Sequence, residues 1–272
     1  MKQILVLALA VFANLSYAWE QRAPLPLAAC KVHAPYGFAD TKREARPICR
    51  EAYLVAYDAP AKIPAYVSYT LTPPNAIGCW PRTNAFVADK SVQGGAKPDD
   101  YAGTGYDKGH AAPDGDLSWS EIVEYESFLM TNMYPQHGSL NRGIWKLLET
   151  SIRGWAVQRN QPFTIYVGAF YGAGNETIGP GKVIVPHGYY KIVINNATKE
   201  IAGWTFPHTK PYVNLGNDLT KFRVKIAQIQ KEAGVSYEYP AGAKELAVGD
   251  EWKVDFGALT NAKRAKCGKN AE

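Results

Sequence analysis

Apolar residues recur along the chain with two periods, and those periods predict its elements. Tyr53, Val55 and Tyr57 fall at period two, and the run from Pro64 to Thr72 continues in the same manner until Pro73 and Pro74 stop it. Both read as strands, the second closed by residues that cannot donate to a ladder. The stretches "PFTIYVGAFYG", "KVIVPHGYYKIVIN" and "EIAGWTFPHT" add further strand runs punctuated by Gly and Pro. The helical period is rarer. It is clearest where Leu140, Ile144, Leu147, Leu148 and Ile152 recur, with Gly154 as the expected stop. Ser118 and Glu121 form an S-x-x-E capping box that predicts a helix start at Ser118. A third helix is expected from about Leu219 to Ala233, before Gly234. Strand runs dominate and follow one another as hairpins, so the chain reads as an α+β protein: a largely antiparallel central sheet flanked by helices.

The ends of the chain read differently from its middle. A lysine, an apolar run from Ile4 to Ala13 and a small-x-small site at Ser16-Tyr17-Ala18 predict that residues 1–18 are a secretory signal peptide cleaved after Ala18. The expected location is therefore periplasmic or secreted. No stretch is apolar for the roughly 20 residues that a membrane-spanning helix needs, so no membrane association is expected. Residues 19–50, rich in Pro, Ala and charge, read as an irregular leader, and 75–105 as a long connection. Residues 51–272 read as one domain ending in a solvated basic tail, Lys263 to Lys269.

Composition narrows the picture only a little. Hydrophobic residues make up 46% of the 272, enough for one large core. A formal net charge of +5 permits an acidic polymer as partner without demanding one. The four cysteines, Cys30, Cys49, Cys79 and Cys267, all lie beyond the expected cleavage point, and an even number favours disulfides over free thiols. No C-x-x-C pair is present, which argues against a zinc ribbon or a thioredoxin-like site. Three pairings are open. Cys30 with Cys49, closing a short Pro-containing loop, and Cys79 with Cys267, tying the tail to the body, are favoured, although sequence alone does not decide between the pairings.

Candidate chemistry concentrates in "YDKGHAAPDGD", Tyr106 to Asp116. His110 follows Gly109 between turn-prone regions, and the expected place for its ring is the mouth of a loop. By residue type alone it reads as a surface histidine. Its neighbours change that: Asp107 suits holding the loop or orienting the ring, and Lys108 suits meeting an anion, beside an imidazole able to take a proton near neutral pH. His187 and His208 have no Cys, His or carboxylate at ligand spacing and read as structural or surface residues, His33 lies in the leader, and His137 reads as a loop residue. There is also no G-x-S-x-G elbow and no Walker loop.

A second constellation follows in "SFLMTNMYPQHGSLNRGIWKLLE", Ser127 to Glu149. Asn141, Trp145 and Glu149 recur every four residues and form a stripe beside the apolar face of the clearest helix. Taken alone, that stripe also fits an ordinary helix with a solvent-facing Asn and Glu. An amide and a carboxylate suit a hard cation such as Mg²⁺, which prefers oxygen and keeps much of its water. On a straight helix eight residues rise roughly 12 Å, too far for both side chains to touch one ion.

At these residues the sequence resembles the sugar-non-specific ββα-metal endonucleases, the family of the Serratia nuclease and endonuclease G. The likeness rests on Asp107-Lys108-Gly109-His110 with Pro113, on Thr131-Asn132 and Pro135-Gln136, and on Asn141-Arg142-Gly143-Ile144-Trp145 through Glu149. It runs from about Tyr53 to Tyr237 and is specific in its middle third. The resemblance implies a ββα-metal nuclease fold and an Mg²⁺-dependent endonuclease that hydrolyses DNA and RNA to 5′-phosphate and 3′-hydroxyl ends. Mn²⁺ or another divalent cation is the alternative to Mg²⁺. It further implies that His110 is the general base, that Asn141 is the only direct protein ligand of the metal, and that Glu149 positions water. Asn132 would arrange the site beside His110, and Arg82, Asp107, Gln136 and Arg142 would serve the substrate. Lys108 stands where the family usually has arginine, exchanging a planar two-pronged donor for a point charge, which puts rate and substrate preference in question.

Two other readings stay open at this point. One is a catalytically inactive nuclease-fold protein that binds nucleic acid, the other a phosphodiesterase acting on small nucleotides. DNA and RNA are the expected partners, and no obligate protein partner is evident.

Overall fold

Strands that read as alternating or continuous apolar runs become the centre of one sheet in the computed structural model, which describes residues 21–268. The expected signal peptide, residues 1–18, lies outside the described residues. Among those residues eight strands form the main sheet. Six adjacent antiparallel pairs place Ala45–Cys49 at one edge, followed by Leu54–Asp58, Ile63–Leu71, Phe163–Phe170, Gly188–Asn195, Glu200–Pro207 and Arg223–Val224. Lys244–Glu245 adds a short parallel pairing to Glu200–Pro207.

The two central strands, Phe163–Phe170 and Gly188–Asn195, are buried along their whole length. That requires cover on both faces, and the period-two geometry of a strand sorts the side chains between two cores. Tyr190, Ile192, Ile194, Tyr166 and Phe170 face one core, closed by the helix Ile226–Ala233 and the Cys30–Cys49 region. Tyr189, Val193, Ile165 and Val167 face the other, where Trp145, Leu148, Ile152 and Trp155 of the long helical segment pack. The α+β expectation holds, with the refinement that the antiparallel sheet has no solvated face at its centre.

Several local expectations are corrected. The end of the expected leader is not irregular, because Ala45–Cys49 pairs with Leu54–Asp58 and joins the sheet. The helix expected at Ser118 begins at Glu121, capped by Ser120, whose hydroxyl accepts from Val123 N at 3.3 Å. Gly154 does not end the long helix, which continues to Arg159 and stops at Asn160 in the left-handed region, φ 51°. Gly154 instead allows Val254 to approach, since a Cβ there would lie 2.4 Å from Val254 Cγ2. The stretch from Leu219 is split: one turn to Phe222, the short strand Arg223–Val224, then the helix Ile226–Ala233 ending at Gly234.

The lysine-rich end is not a solvated tail either. Phe256–Cys267 is a helix whose first turn is capped by Asp255, accepting from Ala258 N at 3.1 Å. Cys30 pairs with Cys49 and Cys79 with Cys267, so both favoured disulfides are present. Among the described residues no helix is long and apolar enough to cross a membrane.

Candidate active site

A small hairpin and the helical segment that follows it carry most of the chemistry. Tyr106–His110 runs antiparallel to Met133–His137, with His110 opposite Met133 and Lys108 opposite Pro135. His110 is thus the last residue of a strand and not, as expected, a loop residue. The chain then turns through Gly138–Leu140 into a widened π-type turn, Asn141–Trp145, and on into the helix Lys146–Arg159. Gly143, at φ −100° and ψ −119°, interrupts the helical path, so the straight-helix separation expected for Asn141 and Glu149 does not apply. Both line one cleft of about 820 Å³, together with His110, Lys108, Arg82 and Arg142.

The His110 ring is held by packing. It meets Phe128 edge to face at 5.0 Å and Phe86 at 5.7 Å, measured between ring centroids. The residue is 8% exposed, and its Nε2 is buried with no hydrogen-bond partner among the described residues. Burial, reinforced by the positive charges of Arg82 and Lys191, lowers its pKa to about 3. The ring is therefore neutral at neutral pH, and a neutral imidazole keeps one nitrogen lone pair able to accept a proton.

Asn132 secures the segment beyond the ring. Its side chain donates to Ala112 O and Ser127 O, each at 2.9 Å, and accepts from Ala112 N at 2.9 Å, while its own carbonyl accepts from Ala111 N. It is fully buried and fully used, and so acts on the backbone next to His110 and does not reach the cleft.

Asn141 gives its Nδ2–H to Asp107 at 3.0 Å, which leaves the amide oxygen as the donor it can offer a cation. Asp107 also lies 3.4 Å from Arg142 Nε. These contacts correct the expectation that Asp107 serves the substrate: its carboxylate is engaged by Asn141 and Arg142, and it does not line the cleft. Gln136 is corrected too. It is fully buried under the hairpin, where a Cβ on Gly109 would lie 2.1 Å from its Oε1.

Arg82 and Arg142 do line the cleft. Arg82 donates to Asp114 at 2.8 Å and to Asn84 at 2.7 Å, and its guanidinium sits 4.9 Å from the Phe128 ring centre. The next residue anchors it, since Thr83 N and its hydroxyl donate to Glu124 at 2.8 and 2.9 Å. Lys108 reaches the cleft with its ammonium 5.0 Å from the Phe86 ring centre.

Glu149 has buried neighbours that the sequence did not suggest. Lys191, from the central strand Gly188–Asn195, places Nζ 3.8 Å from its Oε1, 3.2 Å from Ala111 O and 4.2 Å from the centre of the Trp145 ring. Arg153 pairs with Asp116 at 2.7 Å, and Asp116 accepts from Tyr69 at 2.8 Å. Burial raises the Glu149 pKa to about 7 against the pull of Lys191, and lowers Lys191 to about 8 against the pull of Glu149. The available signal for Lys191 was a charge inside the apolar run "GYYKIVIN". A strand buried on both faces tolerates a charge only when it is paired.

Among the described residues no group of three or more His, Cys, Asp or Glu is arranged to hold a metal. The cleft instead offers the amide oxygen of Asn141 and the carboxylates of Glu149 and Asp114, the last paired with Arg82, a sparse, oxygen-only donor set. That set fits a hard cation that keeps most of its water, and not zinc or copper.

Comparison with known proteins agrees with this geometry. The profile of the DNA/RNA non-specific endonuclease family matches residues 33–245. The chain is similar to the mitochondrial nuclease EXOG of Xenopus laevis, 26% identical over 219 residues, covering 74% of this chain and 60% of the relative. Similarity to human mitochondrial EXOG is 26% over 220 residues, covering 74% and 59%. The mitochondrial nuclease of Saccharomyces cerevisiae is 28% identical over 209 residues, covering 68% and 63%. The matches thus span about three fifths of the length of these relatives. EndoG, solved in complex with EndoGI, superposes with a TM-score of 0.67 at 22% identity, covering 77% of this chain and 91% of that one.

The relatives overturn the expectation of a periplasmic or secreted protein. These relatives are named mitochondrial nucleases. With its hairpin, long helix and antiparallel sheet, the chain has the ββα-metal nuclease fold, and it belongs to the metal-dependent DNA/RNA non-specific endonuclease family.

Proposed function

We propose that the chain is an Mg²⁺-dependent endonuclease that hydrolyses phosphodiester bonds of DNA and RNA, with His110 as general base. The observation that carries this reading is the His110 imidazole, neutral and lining a cleft that also receives Arg82, Lys108, Arg142 and Lys146. A neutral imidazole can accept a proton, and the surrounding cations attract a phosphate.

In the reaction, the His110 imidazole takes a proton from water as the water oxygen bonds to phosphorus. The bond from phosphorus to the 3′ oxygen breaks, and that oxygen leaves to be protonated from solvent. The products are 5′-phosphate and 3′-hydroxyl ends. The nucleophile is water and not the sugar's 2′-hydroxyl, so DNA and RNA are both substrates. Asn141, oriented by Asp107, would hold the cation with Glu149 positioning water beside it; when bound, the cation supplies positive charge against the developing charge on the phosphate and leaving oxygens. Asn132 keeps the Ala111–Ala112 backbone, and with it the adjoining His110, in place. Lys191 and Arg153 supply positive charge beside Glu149.

The test is cleavage of plasmid DNA and of a long RNA by the purified chain, with Mg²⁺ and with EDTA, beside His110→Ala. Degradation of both polymers with Mg²⁺, lost with EDTA and in the variant, is the expected result. Intact polymers with folded wild-type protein that still binds them would refute it.

A further inference from the structure

Trp80 has no part in the chemistry above, yet it lines the same cleft and is 40% exposed. No ring or cation contact engages it among the described residues. A large exposed indole on a mobile loop would carry little meaning, but this one is held firmly. The Trp80 backbone N–H donates to Ser118 O at 2.8 Å, which fixes the chain that carries the ring. Gly78, two residues earlier, lies so close to Ser118 that a Cβ would sit 2.3 Å from the Ser118 carbonyl carbon. Cys79 is bonded to Cys267, Pro81 restricts the backbone on the other side, and Arg82 is fixed by Asp114 and Asn84.

The disulfide also brings a cation to this wall. Cys267 ends the helix Phe256–Cys267, and Lys266 beside it donates to Pro74 O at 2.8 Å. At the other end of the helix Asp255 N donates to Gln158 at 3.2 Å. Fastened at both ends, the helix delivers Lys263 to the cleft, where no salt bridge engages it among the described residues.

We infer that Trp80 and Lys263 form a binding subsite for an unpaired nucleotide: the indole stacks on the base and the ammonium meets a phosphate. The inference rests on the nuclease reading of this cleft and adds substrate preference to it. With the backbone of Trp80 fixed on both sides, only the two side-chain torsions of the indole are left to order on stacking. In a duplex both faces of an interior base are already covered by its neighbours, whereas a single-stranded or unpaired base offers one. The subsite therefore favours single-stranded over double-stranded substrate.

The experiment compares kcat/KM for a short single-stranded DNA oligonucleotide and for its duplex, using wild type, Trp80→Ala and Trp80→Phe. A ratio taken within one preparation is insensitive to the fraction of folded protein. The single-strand to duplex ratio is expected to fall about ten-fold in Trp80→Ala, within the range measured for base–aromatic stacking, and to be largely retained in Trp80→Phe. An unchanged ratio in Trp80→Ala, or an equal fall in Trp80→Phe, overturns the inference. Binding of the labelled single strand in EDTA, read by fluorescence anisotropy, is a second readout, in which Trp80→Ala weakens affinity by a similar factor. If wild type cleaves nothing, the nuclease reading fails by itself while the binding readout still judges the subsite.

Discussion

The Lys191 ammonium lies 3.8 Å from the Glu149 carboxylate, with the lysine side chain fully excluded from solvent and the glutamate 12% exposed. The strand at the centre of the sheet thus reaches through to the helix that carries the site. Removing one member of such a pair leaves a buried charge without its partner. Lys191→Met is expected to cost about 3 kcal/mol or more of stability, and adding Glu149→Gln is expected to restore part of it. Urea unfolding of the two single variants and the double variant measures this. A Lys191→Met protein as stable as wild type would show that the pair contributes nothing.

Asn132 satisfies three backbone groups from a fully buried position. Asn132→Leu leaves Ala112 N, Ala112 O and Ser127 O without partners, and each buried unsatisfied group costs roughly 1–3 kcal/mol. Because Asn132 acts on the segment beside His110 and not on substrate, kcat is expected to fall much more than KM rises. Steady-state kinetics on a defined oligonucleotide would contradict this if KM alone changed.

Glu149 links metal demand to pH. Its pKa is raised to about 7 by burial, so below that pH the carboxylate is mostly protonated and a cation must displace the proton. The Mg²⁺ concentration for half-maximal activity is expected to fall as pH rises toward 7, by a factor approaching about ten per unit, and to level off above it. His110, lowered to about 3, is already neutral throughout this range and contributes no step. Mg²⁺ titrations at several pH values test the assignment: the dependence should vanish in Glu149→Gln, and its persistence there would move it to another group.

Gly109 sits over the side chain of Gln136, and a Cβ would come within 2.1 Å of its Oε1. Gly109→Ala is expected to destabilise the hairpin by about 1–3 kcal/mol through overpacking. Shortening the neighbour in Gly109→Ala/Gln136→Ala should recover part of that loss. Thermal melts of the single and double variants decide it, and additive losses would rule out the steric explanation.

What the sequence determined by itself was whatever contiguous residues can specify. Period-two runs located the strands from Leu54 to Pro207 because a strand sorts its side chains by local geometry alone. The short segments around Asp107–His110 and Asn141–Glu149 carried the family resemblance because a hairpin and its following helix keep catalytic groups at set offsets. Where local rules competed, tertiary packing chose. Ser120 and not Ser118 caps the helix. Gly154 is a point of close approach to Val254, and the basic end is a helix because a disulfide and Asp255 hold it. Only the folded chain could turn Gln136 and Asp107 away from the cleft. Only the fold, too, could bring Lys191 against Glu149 and Arg153 and Lys263 to the cleft, since each of these cations takes its meaning from neighbours far away in sequence. A buried charge or an exposed indole is a property of surroundings, and those surroundings exist only once the layers have packed.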